Sequence, residues 1–349
     1  PRLDYSTGAE AFLLEPQSTN LITQSELFSD SYWAKSSSSV VSGFTSPSGV
    51  LSAFKLVEDT ATTTHQIQRF FSFLNQKYSL SAFLKADERN WIKVNLYDGS
   101  SSVYAYFDLT NGVVGQELGA TGKIENYGNG WYRCSITTTL NVSAGNGNIS
   151  LRLAENDGGT GYVGNGTSGL YIFGAQLEQG SFATSYIPTS GASATRNQEL
   201  CTNATPVINS EEGTLYFEGS ALADDGTFRL LSFSDGTSVN RVYIGYSSVD
   251  KITCSFQIAS SAVYGFDFTT DINVNSKLAL KYKENDFALW VNGVEVNSQS
   301  SGNTFPIGTL TKMQFTSGTV SSPFYGNTKD LKYYPKALAD VQLEDLTTI

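Results

Sequence analysis

Flat aromatic rings beside planar amides are the chemistry this chain supplies most plainly. Trp91, Tyr97, Tyr104, Tyr106, Trp131 and Tyr132 lie on or next to segments of alternating polarity, with Gln66, Asn95, Asp98 and Arg152 as polar neighbours. Rings of this kind match the C–H faces of pyranose sugars, and amides, carboxylates and guanidinium groups bond adjacent hydroxyls in fixed geometry. Tyr104 and Tyr106 share one face of their segment while Phe107 and Leu109 share the other, so the two tyrosines form a candidate aromatic strip. Further along, Trp290 alternates against Phe287, Leu289 and Val291 and stands beside the turn Asn292-Gly293, which makes it a second candidate platform. The candidate carbohydrate-binding set is therefore Trp91, Tyr97, Tyr104, Tyr106, Trp131, Trp290 and Asn292. For any one of these rings, burial in a core is the commoner fate.

Catalytic chemistry is poorly supplied. His65 is the only histidine, so a nucleophilic triad would have to run through it and a multi-histidine metal site is excluded. Cys134, Cys201 and Cys254 show neither a disulfide framework nor a CxxC spacing, and read as reduced or buried thiols. Glycoside hydrolysis needs two facing carboxylates roughly 5–10 Å apart, and no Glu-x-Asp-x-x-Glu string occurs. The segment His65-Gln66-Ile67-Gln68 is a scrambled form of the Gln-Ile-His strand of alginate-lyase-like sandwiches. No enzyme is expected. Asp224-Asp225-Gly226, Glu155-Asn156-Asp157 and Glu211-Glu212 read as solvated turns; they offer carboxylates for a structural calcium, but no DxDxDG loop specifies one. No other cofactor is implied.

Charge narrows the partners. The chain of 349 residues carries 33 acidic against 22 basic residues, a net charge of −11, without any Lys/Arg run. Nucleic acid and anionic membrane are therefore excluded as expected partners. No apolar stretch approaches the roughly 20 residues that span a bilayer. The opening Pro1-Arg2-Leu3-Asp4-Tyr5 is neither an initiator Met nor a signal peptide, so the chain reads as a trimmed piece of something longer.

The elements that must position these groups are strands. Residues 78–85, 91–97, 103–109, 131–137, 149–153 and 170–173 alternate with a period of two, punctuated by Asp98-Gly99, Asn111-Gly112 and Asn129-Gly130. Residues 213–218, 228–233, 241–246, 251–257, 277–282 and 287–291 repeat the pattern with turns at Asp225-Gly226, Asp235-Gly236 and Asn292-Gly293. Only Leu338–Leu346 changes period, to a short helix after Pro335. Charged residues make up only 16% of the chain and no helices intervene, so the expected class is all-β, with two antiparallel β-sandwich domains in tandem. The expected division is an extended N-terminal arm at 1–19, a first domain at 20–188, a linker at 189–200 and a second domain at 201–349.

Several phrases carry a resemblance. Leu13-Leu-Glu-Pro-Gln-Ser-Thr-Asn-Leu21, Ser25-Glu-Leu-Phe-Ser29, Tyr32-Trp-Ala-Lys35, Tyr78–Ala86, Gly130-Trp-Tyr-Arg-Cys134, Gly174–Gly180 and Ala183–Pro188 follow in order a type of domain found in phage virion proteins and some polysaccharide-degrading enzymes. This part is similar to the jelly-roll carbohydrate-binding modules of the family 4, 9 and 22 type. Within it, Trp131 belongs to the repeated Gly-Trp-Tyr-Arg phrase, whose role reads as mainly structural. The second half resembles laminin-G-like or concanavalin A-like lectin domains through Leu289-Trp-Val-Asn-Gly293 and Leu331–Leu338; Ala339 stands where related domains often have a helix-capping Ser. The resemblance implies a non-catalytic binder of polysaccharide or oligosaccharide on a virion surface or outside the cell, with homo-oligomers formed through virion assembly. The rival implications are a structural virion protein that binds other capsid or tail subunits, and the accessory binding region of a secreted polysaccharide-degrading enzyme.

Overall fold

A computed structural model describes residues 2–4, 10–141, 145–201 and 205–349. The chain divides into two units, one of residues 17–197 and one that joins residues 1–16 to residues 198–349. Each is built of antiparallel sheets, and the one described α-helix is Asp340–Thr347 near the C-terminus. The expected all-β class of paired antiparallel sandwiches is what the structure shows.

The unit of residues 17–197 packs two six-stranded sheets face to face. One runs in the order Val113–Leu118, Ser102–Asp108, Trp91–Tyr97, Gly145–Ala154, Gln66–Phe73, Ala34–Ser36. The other runs Thr121–Asn126, Trp131–Thr139, Lys77–Lys85, Gly169–Gln179, Ala53–Glu58, Ser38–Phe44. Alternation decides which side chains enter the core between them. Ile92, Val94 and Leu96 from the first sheet meet Leu80, Ala82 and Leu84 from the second, and all six are buried. The thiol of Cys134 is buried in the same core, and the three cysteines are free.

The two sheets differ in what covers their outer faces. On the Lys77–Lys85 sheet that face is roofed by the chain itself: Ser18 and Thr184 bond the Glu178 carboxylate, the Asn20 amide donates to the Ile187 carbonyl, and the Ile187 amide donates to Gln176 Oε1. A short strand, Ala194–Arg196, pairs with Ser18–Asn20, so the small polar residues that read as linker contain ordered β-structure.

The second unit packs a seven-stranded sheet on a five-stranded one. Its core gathers Phe217, Phe233, Phe256, Phe287, Tyr246, Tyr282 and Phe324. The strand Phe287–Val291 turns into Val294–Gln299 through Asn292-Gly293, whose φ angles of 50° and 83° are those of a two-residue hairpin turn. At the helix start the backbone N–H of Ala339 donates to Gln342 Oε1, which supplies half of a capping box without a Ser.

The N-terminal residues, expected to run as an arm, are instead strands of this second unit. Ala11–Leu14 pairs with Gly326–Tyr334, and Arg2–Asp4 pairs in turn with Ala11–Leu14. Leu14 is buried in the aromatic core. Arg2 bonds the carboxylates of both Glu15 and Glu199, and the Glu15 amide donates to Glu199 Oε2, so the two crossings of the chain out of this unit are tied together. Pairing partners more than three hundred residues apart leave no local periodicity to detect.

Leu14→Ala should therefore destabilise the second unit by about 2–5 kcal/mol, the usual cost of such a cavity, while Phe12→Ala, at an exposed position of the same strand, should cost under about 1 kcal/mol. Chemical denaturation of the two variants would show the difference.

Candidate carbohydrate-binding face

With Ile92, Val94 and Leu96 committed to the core, Trp91, Lys93, Asn95 and Tyr97 must all emerge on the opposite face of their sheet. The register then fixes their neighbours. Lys93 lies between Tyr106 and Arg152, Asn95 between Tyr104 and Ser150, and Tyr97 between Ser102 and Asn148. One strand further, Arg152 pairs with Gln66, Ser150 with Gln68 and Asn148 with Phe70. The result is a face of aromatic rings, amides and two cations, assembled from four adjacent strands.

At one end the face dips into a depression of about 340 Å³ lined by Phe70, Phe71, Ser72, Tyr97, Asn146, Gly147 and Asn148. That is within the usual size range of small-ligand sites. Phe70 is 60% exposed, an unusual state for phenylalanine, and Tyr97 is half-buried. A Cβ at Gly147 would stand 1.8 Å from the Tyr97 carbonyl oxygen, so only glycine lets the two strands approach there. Tyr97 is held by its hydroxyl, which donates to the Gly99 carbonyl at 2.9 Å.

The middle of the face is densely polar. Asn95 is 0% exposed, yet among the described residues neither its side-chain oxygen nor its nitrogen has a partner. Gln66 Oε1 and Asn148 Oδ1 are likewise buried and unpartnered. Each such group costs about 1–3 kcal/mol when left unbonded. The Tyr104 and Tyr106 rings meet edge to face at 5.6 Å, and the Lys93 ammonium lies 3.5 Å from the Tyr104 ring centre and 5.4 Å from that of Tyr106. Burial, with the Arg152 charge adding to it, pushes the Lys93 amine down to about 8. Burial likewise lowers Arg152 and raises the Tyr106 phenol.

At the other end Trp91 is half-buried. A Cβ on Gly115 would come within 2.7 Å of its indole and 2.5 Å of Asp157 Oδ1, so this glycine makes room for both. Asp157 accepts the Gln116 backbone N–H, and Asp108 caps the turn at Thr110 and Asn111. Asp98 accepts the backbone N–H groups of Ser100 and Ser101 and so shapes a hairpin.

Four of the seven candidate residues, Trp91, Tyr97, Tyr104 and Tyr106, share this face, together with Gln66, Asn95 and Arg152. Trp131 stands apart, 2% exposed on the outer side of the opposite sheet among Ala53, Phe83 and Phe173. Trp290 does turn away from Leu289 and Val291, but the C-terminal helix covers it: it is 7% exposed among Tyr216, Ala279, Leu338 and Leu343. Asn292 uses its Oδ1 to accept the Lys277 backbone N–H and so holds a turn. His65 is fully buried, with Nδ1 2.7 Å from the Ser37 carbonyl and its ring against Tyr162.

Phe70, Lys93, Asn146 and Asn148 were not singled out from the sequence. For Phe70 the usable signal was parity, since it shares a face with Gln66 and Gln68 while Ile67 and Phe73 fill the core. Asn146 and Asn148 lie in a Gly-Asn-Gly-Asn run that reads as a loop, and only pairing with Ser72 and Phe70 makes it a strand.

No family model matches the chain, and no curated protein matches it. Solved structures do. The carbohydrate-binding module CBM40 of the Ruminococcus gnavus IT-sialidase is 19% identical over 40% of this chain and 83% of its own, with a TM-score of 0.35. Domains LG4-5 of the mouse laminin alpha1 chain are 11% identical over 92% of this chain and 91% of their own, with a TM-score of 0.27. The heptameric SAP-like pentraxin of Limulus polyphemus is 15% identical over 39% of this chain and 69% of its own, with a TM-score of 0.28.

The buried charge at Lys93 has a measurable consequence. An unfolded lysine titrates near about 10.4, so between about pH 8 and that value the unfolded chain holds a proton that the native chain has released, and stability rises with pH across this window. Below it the native unit carries the full cost of the charge. Lys93→Met should therefore raise the unfolding temperature at pH 7, and the gain should shrink toward pH 10 in a thermal melt.

Proposed function

We propose that this chain binds carbohydrate through the outer face of the Trp91–Tyr97 sheet, and does so without catalysis. The observation that carries the reading is the depression in which Tyr97 and Phe70 flank Asn148, whose buried Oδ1 has no partner. Two rings supply surfaces for the apolar faces of sugars, the unpartnered oxygens of Asn148 and Gln66 supply acceptors for hydroxyls, and the Asn95 amide supplies both a donor and an acceptor. An extended row from Trp91 to Tyr97 suits a chain of sugars better than a single ring. The carboxylates nearest the face, Asp108 and Asp157, are engaged by backbone N–H groups, and His65 is sealed in the interior, which supports binding rather than bond cleavage. The setting on a virion or other extracellular surface is proposed from the phrases Leu13–Leu21 and Gly174–Gly180 alone.

Affinity electrophoresis through gels containing neutral and acidic polysaccharides tests the reading. At least one polymer should retard the protein, and Tyr97→Ala and Asn148→Ala should each weaken that binding about tenfold, or about 1.4 kcal/mol. Trp131→Phe and Trp290→Phe should leave it unchanged. A protein that no polymer retards, or one whose binding survives Tyr97→Ala intact, would contradict the proposal.

A further inference from the structure

Two cations stand side by side on this face without an anion. Lys93 and Arg152 are direct cross-strand partners and so project on the same side of the sheet. Neither makes an ion pair among the described residues: Arg152 Nε donates to Ser150 Oγ at 2.9 Å, and the Lys93 ammonium rests on tyrosine rings. Lys93 is only 8% exposed. The neighbours it meets from each flanking strand are Tyr104 and Tyr106 on one side and Arg152 on the other, with neutral Gln66 beyond. Asp108 and Asp157, the carboxylates on the margin, are bound to turn and loop amides.

Elsewhere a single buried cation, Arg133, also lacks an ion pair among the described residues and donates to Ser81 Oγ, but no second cation stands opposite it, and three other enclosed cations meet carboxylates. Lys281 is paired with Asp286 and Asp340, Arg229 with Asp225, and Lys55 with Asp87 and Glu88. Like charges placed directly opposite on a sheet repel, and burial removes the water that would screen them. A chain with 33 acidic and 22 basic residues had carboxylates to spare for this position. The uncompensated pair is what an anionic ligand requires.

On the glycan-binding reading above, we infer that the ligand is an acidic polysaccharide, with the carboxylate of a uronic acid residue seated between Lys93 and Arg152 while neighbouring sugars lie along the face toward Tyr97 and Phe70. The planar guanidinium fork of Arg152 matches a carboxylate's two oxygens, and the half-dry surroundings strengthen that bond. From Lys93 to Tyr97 is four residues along one strand, about 13 Å, so one oligosaccharide spans both places. The net charge of −11 repels polyanions in general, which makes the attraction local and selective rather than a matter of overall charge.

The test uses the full chain and calorimetric titration with polygalacturonate, alginate and hyaluronan, each beside its carboxyl-reduced neutral counterpart, with dextran sulfate as a further arm. At least one uronate polymer should bind about tenfold or more tightly than its reduced form. Lys93→Met and Arg152→Gln should each bring the affinity for the uronate polymer down to that of its reduced form in the same variant, so that the preference is lost, and Lys93→Arg should keep it. The preference should also weaken as the pH rises through about 8, where Lys93 loses its proton. Equal affinity for acidic and reduced polymers, or binding to neutral polysaccharides only, overturns this inference and leaves the glycan-binding face standing. Binding of dextran sulfate with none of the uronates overturns the carboxylate assignment. A protein that binds no polymer at all, acidic or neutral, overturns both.

Discussion

The alternation of Ile92, Val94 and Leu96 into the core is the constraint on which the rest of the first unit depends. Because those three side chains are buried between the sheets, the residues between them have no choice but the outer face, and pairing with the strands on either side brings Tyr104, Tyr106, Ser150 and Arg152 alongside. A slip of one residue would turn the tyrosines into the core and expose Ala105 and Phe107, or turn Arg152 into the core and expose Leu151 and Leu153. The apolar energy of the sandwich therefore holds a polar arrangement in place that has little stability of its own. Gly147 serves the same end, since the close approach it allows sets the floor of the depression beside Tyr97.

Identical local signals led to different outcomes in the two sheets of this unit and in the second unit. Trp91, Trp131 and Trp290 all lie on strands and all point away from the main core between sheets. What separates them is cover. Segments near Ser18–Asn20 and Thr184–Ile187 roof the sheet that carries Trp131, and the helix Asp340–Thr347 roofs Trp290. Among the described residues no such roof covers Tyr97 and Phe70, and Phe70 stays 60% exposed. Parity tells which face a side chain takes, and only tertiary structure tells whether that face stays open.

This distinction sets how much was legible in the sequence. Strands such as Trp91–Tyr97 and Phe287–Val291, the Asn292-Gly293 hairpin and the shared face of Tyr104 and Tyr106 follow from period and turn chemistry, which are local. The pairing of Ala11–Leu14 with Gly326–Tyr334 does not, because nothing near residue 12 records its partner. The same holds for Lys93 beside Arg152. Each reads alone as an ordinary charged residue on a strand, and the repulsion between them exists only once two distant segments are in register.

Burial without a partner is what distinguishes this face from a merely solvated one. On an exposed sheet surface, amides and ammonium groups face water and are satisfied by it, so their abundance says nothing about binding. Asn95 is shut away from solvent with its whole amide unbonded, and Lys93 is pressed onto tyrosine rings beside a second cation. Each departure lowers stability by an amount comparable to a measurable share of a domain's total. On the reading proposed above, hydroxyls for the amides together with a carboxylate for the cations are the complement that would satisfy these particular atoms.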